Sequence, residues 1–237
     1  MSTGPAPYRP EPLPRRDRPA DPVAAAEAFR DAMASRRTVR EFSDRDVPEE
    51  AIRAAVACAG TAPSGANQQP WFFAAIRDAR VKARIRAAAE TEERAFYAGA
   101  AGDAWLRALE PMGTGSDKPH LERAPWLIVV FAQRHGIDPD GRKSKHYYVS
   151  ESVGIAAGFL IAALHRAGLD CLTHTPAPMG FLRDICGRPP SEKPVMVIAC
   201  GYAAPDAQVP RAAGRKKPMA DIFAVIGADV APFRQGR

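Results

Sequence analysis

The sequence predicts an α+β fold in which helices cover a small central sheet. Two apolar runs, Trp126 to Ala132 and Pro194 to Tyr202, are nearly continuous, as expected of buried strands. Helical patterns alternate irregularly with short hydrophobic strands, which favours a sandwich of helices and strands over a repeating arrangement. At 237 residues with 46% hydrophobic residues, the chain has enough apolar side chains for the core of one large domain.

The N-terminal segment is expected to be an arm that precedes the domain. Residues 1–20 are rich in Pro and Arg and contain no apolar periodicity, so they are interpreted as a disordered or extended arm. Residues 21–237 are interpreted as one domain that ends in a C-terminal arm. Pro22, at a position that a helix tolerates in its first turn, opens a helix that extends to about Ser35.

A second helix, a strand and a long third helix follow along the chain. Pro48 opens the second helix, which has acidic residues in its first turn and Gly60 just past its end. The apolar run Trp71–Ile76 is a strand candidate. Asp78 opens a long charged helix whose apolar side chains recur as far as Phe96.

The C-terminal half is expected to contain loops on either side of the first buried strand. Composition predicts loops over 111–120 and over 134–145, the latter with Pro-Asp-Gly turn chemistry. Residues 150–167 predict a helix that is apolar on all sides and therefore buried. Its many Gly and Ala residues permit close approach of another helix, so it is also a candidate dimer seam.

Charge and cysteine content exclude several classes of function. The net charge of +6 favours anionic ligands, but the basic residues are scattered and no RNA-binding aromatic-glycine signature is present. The histidines pair with no cysteine at zinc-ligand spacing, so no metal site is expected. Neither a leader nor an apolar run long enough to span a bilayer is visible, which predicts a cytoplasmic protein. The four cysteines are interpreted as buried thiols: Cys58, Cys171, Cys186 and Cys200.

Three arginines directly follow the first predicted helix. Arg36, Arg37 and Arg40 present guanidinium groups whose planar donors match phosphate oxygens in pairs. The tail residues Lys216 and Lys217 can complete a phosphate cage if the fold brings them near. The alternative interpretation is a solvated basic patch at a helix end.

A turn of small residues and amides leads into the first strand. In the segment from Pro63 to Trp71, small residues allow backbone N–H groups to approach a flat ligand. The amides of Asn67, Gln68 and Gln69 suit the rim of a heterocycle. With the arginines, this segment predicts a pocket for a phosphorylated planar heterocycle such as FMN. An ordinary turn before a strand is the alternative.

Three polar residues are candidates for binding an amino acid. Glu93 and Tyr97 are four residues apart and share one helix face, and Lys118 lies in the following loop. The carboxylate suits an ammonium group, and the phenol and ammonium suit a carboxylate. The alternative is an ordinary solvated helix face. Further along, the Thr175 hydroxyl before a proline either satisfies a turn or donates to a flavin nitrogen.

Three common catalytic or nucleotide-binding motifs do not occur in the sequence. No P-loop, no glycine-rich dinucleotide fingerprint and no nucleophile elbow is found, which disfavours nucleotide hydrolysis and a Rossmann-bound dinucleotide.

Taken in order along the chain, these segments resemble the nitroreductase-fold flavoproteins, and among them the iodotyrosine deiodinase family. The resemblance extends from about Ser35 to about Ile226. The arginine start and the Ala62–Trp71 segment are shared with many nitroreductases. The motifs that favour the deiodinase branch are Glu93-x-x-x-Tyr97, Lys118 ahead of Leu121-x-x-Ala124-Pro125, His146-Tyr147-Tyr148, Thr175-Pro176, Gly187-Arg188-Pro189 with Glu192-Lys193, and Lys217-Pro218.

The resemblance implies an arm-exchanged homodimer with two FMN sites at its interface. It implies that the FMN phosphate and ribityl chain are held by Arg36, Arg37, Thr38 and Arg40, with Lys216 at a position where the family usually has arginine. It further implies that the isoalloxazine lies along Pro63, Ser64 and Gly65, and that the Thr175 hydroxyl donates to flavin N5.

The substrate implied by the resemblance is a halotyrosine. Ala66 would contact its phenolate through the backbone N–H, and Glu93, Tyr97 and Lys118 would close over its zwitterion as a lid. The implied reaction is FMN-dependent reductive dehalogenation of iodotyrosine to tyrosine and iodide, with electrons from an external NAD(P)H-linked reductant.

Three other functions remain open from the sequence. A broad-specificity NAD(P)H-dependent nitroreductase or flavin reductase shares the fold but needs no zwitterion clamp. The same argument disfavours an oxygen-dependent flavin-fragmenting synthase. A non-catalytic basic module that binds anions or nucleic acid is the alternative from outside the enzymes.

Overall fold

The computed structural model describes residues 9–138 and 140–227, which fall into two units divided after Ser35. In the first unit, residues 9–19 have no regular secondary structure and helix α1 covers Pro22–Ser35. The Asp21 carboxylate accepts hydrogen bonds from the N–H groups of Val23 and Ala24, at 2.8 and 3.1 Å, and so caps the helix start. The predicted first helix is confirmed at both ends.

A four-stranded antiparallel sheet forms the centre of the second unit. Its strands are β1 (Trp71–Ile76), β2 (Trp126–Gln133), β5 (Asp170–His174) and β6 (Glu192–Gly201). They lie in the order β1-β2-β6-β5, and each neighbouring pair is antiparallel. The small central sheet expected from the sequence is confirmed, including strands at both apolar runs.

The two faces of the sheet carry separate hydrophobic cores. Strand β2 is buried over almost its whole length, and its side chains alternate between the faces. Trp126, Ile128 and Val130 belong to one core, and Leu127 and Phe131 belong to the other. A strand buried on both sides reads as a continuous apolar run, which is why the sequence revealed β2 so clearly.

Helices cover both faces and complete the sandwich. The first face is covered by α2 (Glu49–Gly60) and α6 (Val149–Arg166). The second face is covered by α3 (Ala79–Ala95), the single turn α5 (His120–Arg123) and α7 (Gly180–Ile185). The α+β sandwich predicted from the sequence is therefore confirmed.

Two glycines interrupt the helical chain after α3. The predicted third helix ends at Ala95 and continues as a wide π turn over Phe96–Ala100, where Gly99 has φ 134°. Gly102, with φ 72°, precedes a further helix, α4 (Asp103–Leu109), which the sequence did not reveal. Backbone with positive φ favours glycine, so these residues allow the changes of direction. A short 3-10 turn over Glu110–Met112 follows.

The predicted loop over 134–145 is wrong in part, because it contains a hairpin. Strands β3 (His135–Ile137) and β4 (Lys143–Lys145) pair antiparallel around a tight turn. The Gly141 N–H donates to the Asp138 carbonyl at 2.8 Å, and Pro139 of the predicted Pro-Asp-Gly turn lies outside the described residues. Strands of three residues are too short to produce a readable alternation.

Several sequence predictions on burial are also corrected. Cys58 is exposed and Cys186 is half-buried, whereas Cys171 and Cys200 are buried as expected. Helix α6 is not buried on all sides, because Ile155 and Phe159 lie on an exposed stripe.

Among the described residues, no helix is both long and apolar enough to cross a membrane. The C-terminal segment contains 3-10 turns over Arg211–Gly214 and Met219–Asp221.

Candidate functional site

The structure brings Glu93, Tyr97 and Lys118 together, and we call this trio the clamp. The Lys118 Nζ lies 3.0 Å from Glu93 Oε2 and 3.2 Å from the Thr114 hydroxyl. The Tyr97 hydroxyl donates to the Thr114 carbonyl at 3.0 Å, and its ring centroid is 5.7 Å from Lys118 Nζ. The last turn of α3, the π turn and the segment before α5 therefore converge on one point.

The clamp lines a cavity of about 250 Å³ on the second face of the sheet. One wall is apolar and includes Phe96 and Trp105, whose rings meet edge to face at 4.9 Å. A polar part of the lining comes from the end of β5, where Thr173 and Thr175 are exposed. The remaining lining residues are Arg40, Leu109, Thr114, His120, Leu172, His174 and Ala177. Such a mixture suits a ligand with an aromatic body and charged groups at one end.

The clamp lysine is fixed through its backbone as well as its side chain. The Lys118 N–H donates to Glu90 Oε1 at 2.8 Å, and Arg86 donates to the same carboxylate at 2.7 Å. Burial alone would raise the pKa of Glu90, but these hydrogen bonds lower it below its ordinary value. Glu90 therefore stays ionised and holds the segment that carries Lys118.

Two buried histidines line the same cavity. Burial, together with neighbouring positive charges, lowers the pKa of His174 to about 3 and that of His120 to about 4. Both imidazoles are therefore neutral near pH 7. Sequence reasoning did not single out His120, because nothing around a single histidine in a loop distinguishes it.

Four of the six candidates for phosphate binding meet in a second cavity, whereas Arg40 lines the clamp cavity. Arg36, Arg37, Thr38 and Lys216 line a space of about 290 Å³ together with Arg215. The segment is docked against β5, since Thr38 forms a parallel bridge with Cys171. Lys217 does not line this cavity, and Arg215, which the sequence showed only as part of a basic tail, does.

The loop from Pro63 to Ala66 lies elsewhere in the molecule. The Gly65 N–H approaches the Ser152 hydroxyl at 3.4 Å, and the Tyr147 N–H donates to Gln68 Oε1 at 2.8 Å. These partners are at the start of α6, on the first face, whereas the clamp is on the second face. Within one chain the structure does not bring Pro63, Ser64, Gly65 or Ala66 to the clamp cavity.

This loop has an unusual backbone. Ala66, Asn67 and Gln69 have φ angles of 50°, 53° and 49°, in a region that non-glycine residues seldom adopt. Hydrogen bonds hold the N–H groups of Asn67 and Gln69, and within the described ranges no acceptor meets that of Ala66. Strained backbone with a free donor is typical of a ligand-binding turn.

Comparison with known proteins identifies the family. The nitroreductase family profile matches residues 33–202. The iodotyrosine deiodinase of Haliscomenobacter hydrossis is 50% identical over 192 residues, which are 81% of this chain and 86% of that protein. Human iodotyrosine deiodinase 1 is 40% identical over 205 residues, covering 86% of this chain and 70% of the human protein.

A solved structure shows the same relationship. The crystal structure of oxidized iodotyrosine deiodinase bound to FMN and 3-iodo-L-tyrosine superposes with a TM-score of 0.68 at 28% identity, covering 86% of this chain and 99% of that one. The extent of these matches leads to one conclusion: this chain belongs to the nitroreductase family, in its iodotyrosine deiodinase branch.

Proposed function

We propose that this protein catalyses FMN-dependent reductive dehalogenation of halotyrosines, converting iodotyrosine to tyrosine and iodide. The observation that carries the proposal is the buried Glu93–Lys118 ion pair beside Tyr97, in a cavity that also contains Thr175 and Arg40. A broad nitroreductase needs no such pair. The reaction replaces a carbon–iodine bond by a carbon–hydrogen bond, so it consumes two electrons and one proton and releases iodide.

The residues around the second cavity fit the phosphate end of FMN. Arg36, Arg37 and Lys216 supply positive charge, and Thr38 adds a hydroxyl donor. A dianionic phosphate is the ligand that such a donor set favours. Arg40 follows Thr38 closely in the sequence but lines the clamp cavity, where it would meet the ribityl chain of FMN. When bound and reduced, FMN supplies the electrons for the reaction.

The clamp would hold the zwitterion of the substrate. Glu93 accepts from the ammonium group, while Lys118 and Tyr97 donate to the carboxylate. In the structure these charged groups satisfy one another, with side chains only 5% and 12% exposed for Lys118 and Glu93. A zwitterion that inserts between Glu93 and Lys118 gives each buried charge a new partner of opposite charge. A neutral phenol inserted there would leave both charges unpaired.

Thr175 would act at the junction of cofactor and substrate. It follows β5 directly and is exposed in the polar part of the clamp cavity lining. Its hydroxyl is the donor that we assign to flavin N5. Pro63, Ser64 and Gly65 would lie along the flavin ring, and the free Ala66 N–H would donate to the substrate phenolate.

The placement of that loop supports a homodimer in which each site draws on both protomers. The loop lies beside the start of α6, whose exposed stripe contains Gly154, Ile155, Gly158 and Phe159. In the proposed homodimer this stripe pairs across two protomers, and the loop of one protomer serves the clamp cavity of the other. Exchange of terminal arms is supported by exposed apolar side chains in the C-terminal segment: Met219, Ile222, Phe223, Val225 and Ile226.

The electron donor is proposed to be an external NAD(P)H-linked reductant, and the site of action the cytoplasm. Nucleic acid is not a proposed partner, because the basic side chains that the structure gathers around Arg36, Arg37 and Lys216 line a single cavity that fits a phosphate group.

The decisive experiment titrates the purified protein with iodotyrosine. Bound-flavin fluorescence is followed first, and iodide release under dithionite is measured afterwards. Quenching followed by iodide release is the expected result. Bound flavin that iodotyrosine does not quench, together with turnover of nitroarenes, would instead assign the chain to the nitroreductases, and a protein without flavin would overturn the FMN site.

A further inference from the structure

The two buried histidines in the clamp cavity have no role in the function proposed above. His174 is the last residue of β5 and His120 the first of α5, and they are 7% and 4% exposed. Their rings pack edge to face with centroids 5.6 Å apart. His174 is anchored by the pairing of β5 with β6, and Glu93 lies in the last turn of α3.

Each imidazole has one nitrogen without a partner. Among the described residues, none forms a hydrogen bond with the buried Nε2 atom of His120 or of His174. A buried polar atom without a partner is unfavourable, so it indicates a contact made in another state of the protein. The Nε2 of His174 lies 3.7 Å from Glu93 Oε1, just beyond hydrogen-bond distance.

The charges around His174 favour the neutral imidazole and single out Glu93 as its partner. Burial, His120, Lys118 and Arg40 all act against protonation of His174. The other carboxylate of this region, Glu90, acts on His120 and already accepts from Arg86 and from the Lys118 backbone. On Glu93, Oε2 is taken by Lys118 and Oε1 faces His174.

The tautomer follows from this arrangement. A neutral imidazole has one N–H and one lone pair. If the lone pair were on Nε2, it would face a carboxylate oxygen and be repelled, whereas an N–H at that position is attracted.

We propose that neutral His174, with its proton on Nε2, is a positioning residue that holds the Glu93 carboxylate in place for the ammonium group of the substrate. The inference rests on the proposed halotyrosine function. His120 packs against the ring of His174 and fixes its plane.

This contact would sharpen the preference for amino-acid substrates. A carboxylate can accept about four hydrogen bonds, so Glu93 can bind Lys118, His174 and a substrate ammonium group at once. A small shift of the last turn of α3 brings Oε1 within hydrogen-bond distance of His174. A halophenol, which has no ammonium group, gains nothing from the orientation of Glu93.

The test compares two ligands on three forms of the holoprotein. Dissociation constants of iodotyrosine and of iodophenol are measured by quenching of bound flavin. His174→Leu removes the N–H and is expected to weaken iodotyrosine about tenfold or more, since a hydrogen bond to a charged group is lost, and to leave iodophenol unchanged. His174→Gln, whose amide N–H reaches about as far as Nε2, is expected to restore most of the loss.

Two controls separate positioning from packing. His120→Phe keeps the edge-to-face ring contact without a nitrogen and is expected to preserve the ratio of the two dissociation constants. Imidazole ¹⁵N chemical shifts of the wild-type holoprotein without ligand are expected to show His174 neutral and protonated on Nε2, with a shift in Glu93→Gln.

Each outcome decides the inference. Equal weakening of both ligands in His174→Leu, no weakening of either, or a His174 signal protonated on Nδ1 would overturn it. Failure of iodotyrosine to quench the wild-type flavin would overturn the proposed function instead, and the ¹⁵N spectrum would still decide whether His174 donates to Glu93.

Discussion

At the scale of single residues, the main feature of the candidate site is a pair of opposite charges that is buried. Glu93 and Lys118 are nearly inaccessible, and removal of one partner leaves the other charge without compensation. A buried pair of this kind is weak evidence for stability, and in the function proposed above its role is to recognise a ligand that carries both charges.

Loss of the clamp carboxylate is expected to act on substrate binding. Glu93→Gln should raise KM for iodotyrosine about 10- to 100-fold, the range for loss of a hydrogen bond to a charged group, because the amide no longer attracts the ammonium. KM for a simple nitroarene should change little. Steady-state kinetics with both substrates check this, and Glu92→Gln, outside the cavity, is the matched control. Equal losses on both substrates would contradict the clamp.

Thr175 is expected to affect the two reactions differently. Thr175→Ala removes the hydroxyl assigned to flavin N5 and should slow iodide release about tenfold or more, while nitroarene reduction is retained. Thr175→Ser keeps the hydroxyl and should retain both activities. Parallel rates of the three proteins, measured with dithionite as the electron source, are the check. Unchanged deiodination in the alanine variant would show that the hydroxyl has another role.

The buried histidines predict a loss of stability in weak acid. Because the folded protein lowers their pKa values to about 3 and about 4, the unfolded chain binds more protons below about pH 6.5. The free energy of unfolding should therefore be retained above that pH and fall below it, by about 1.4 kcal/mol per pH unit for each histidine. Urea denaturation of the wild type and of His174→Gln from pH 7 to pH 5 measures this. A variant with the same pH dependence as the wild type would contradict it.

At the scale of elements, close packing against the start of α6 explains one glycine in the strained loop. A Cβ on Gly65 would lie 2.6 Å from the Tyr147 carbonyl oxygen, whereas one on Gly60 would meet nothing within 4 Å. Backbone cannot move aside as a flexible side chain can, so the loop position depends on the missing Cβ.

Substitution of this glycine is therefore expected to be costly. Gly65→Ala should lower the free energy of unfolding by about 1–3 kcal/mol, the usual range for overpacking, and should displace the loop. Gly60→Ala is the matched control and should be neutral or slightly stabilising, because alanine favours the helix. Denaturant unfolding of both variants provides the measurement. A fully stable Gly65→Ala protein would mean that the loop adapts.

The helices and strands that were predicted from the sequence have local sequence signals, whereas those that were missed do not. Helix α2 and strands β1, β2 and β6 have caps, charges or apolar runs that are local in the chain. Strand β5 contains Asp170, Thr173 and His174, and it is a strand because it pairs with β6. Pairing between segments distant in sequence leaves little local signal.

At the scale of the whole molecule, the assembly can be tested apart from the chemistry. Gly158 lies on the exposed stripe of α6, and a Cβ there would meet nothing within 4 Å in the protomer. We therefore expect the folded protomer to tolerate a larger side chain at Gly158, which in the proposed homodimer would obstruct the second copy.

Gly158→Leu is expected to convert a homodimer into monomers. Light scattering should show dimers for the wild type and for Gly60→Leu, the control at an exposed helix position with equal room. If the flavin site needs both protomers, the monomeric variant should also lose bound flavin. A wild type that is monomeric and retains flavin would contradict the shared site, and a dimeric Gly158→Leu would place the interface elsewhere.

The amino-acid sequence was enough to predict the sandwich, the family resemblance, and the residue types of the proposed clamp and of the proposed phosphate site. These depend on apolar periodicity and on short motifs, which are local properties of the chain. Folding was needed to show that Lys216 and Arg215 join the arginines, that two buried histidines line the clamp cavity, and that the Pro63–Ala66 loop lies away from it. The physical reason is that burial, pKa and proximity arise from contacts between residues far apart in the sequence, and only folding creates those contacts.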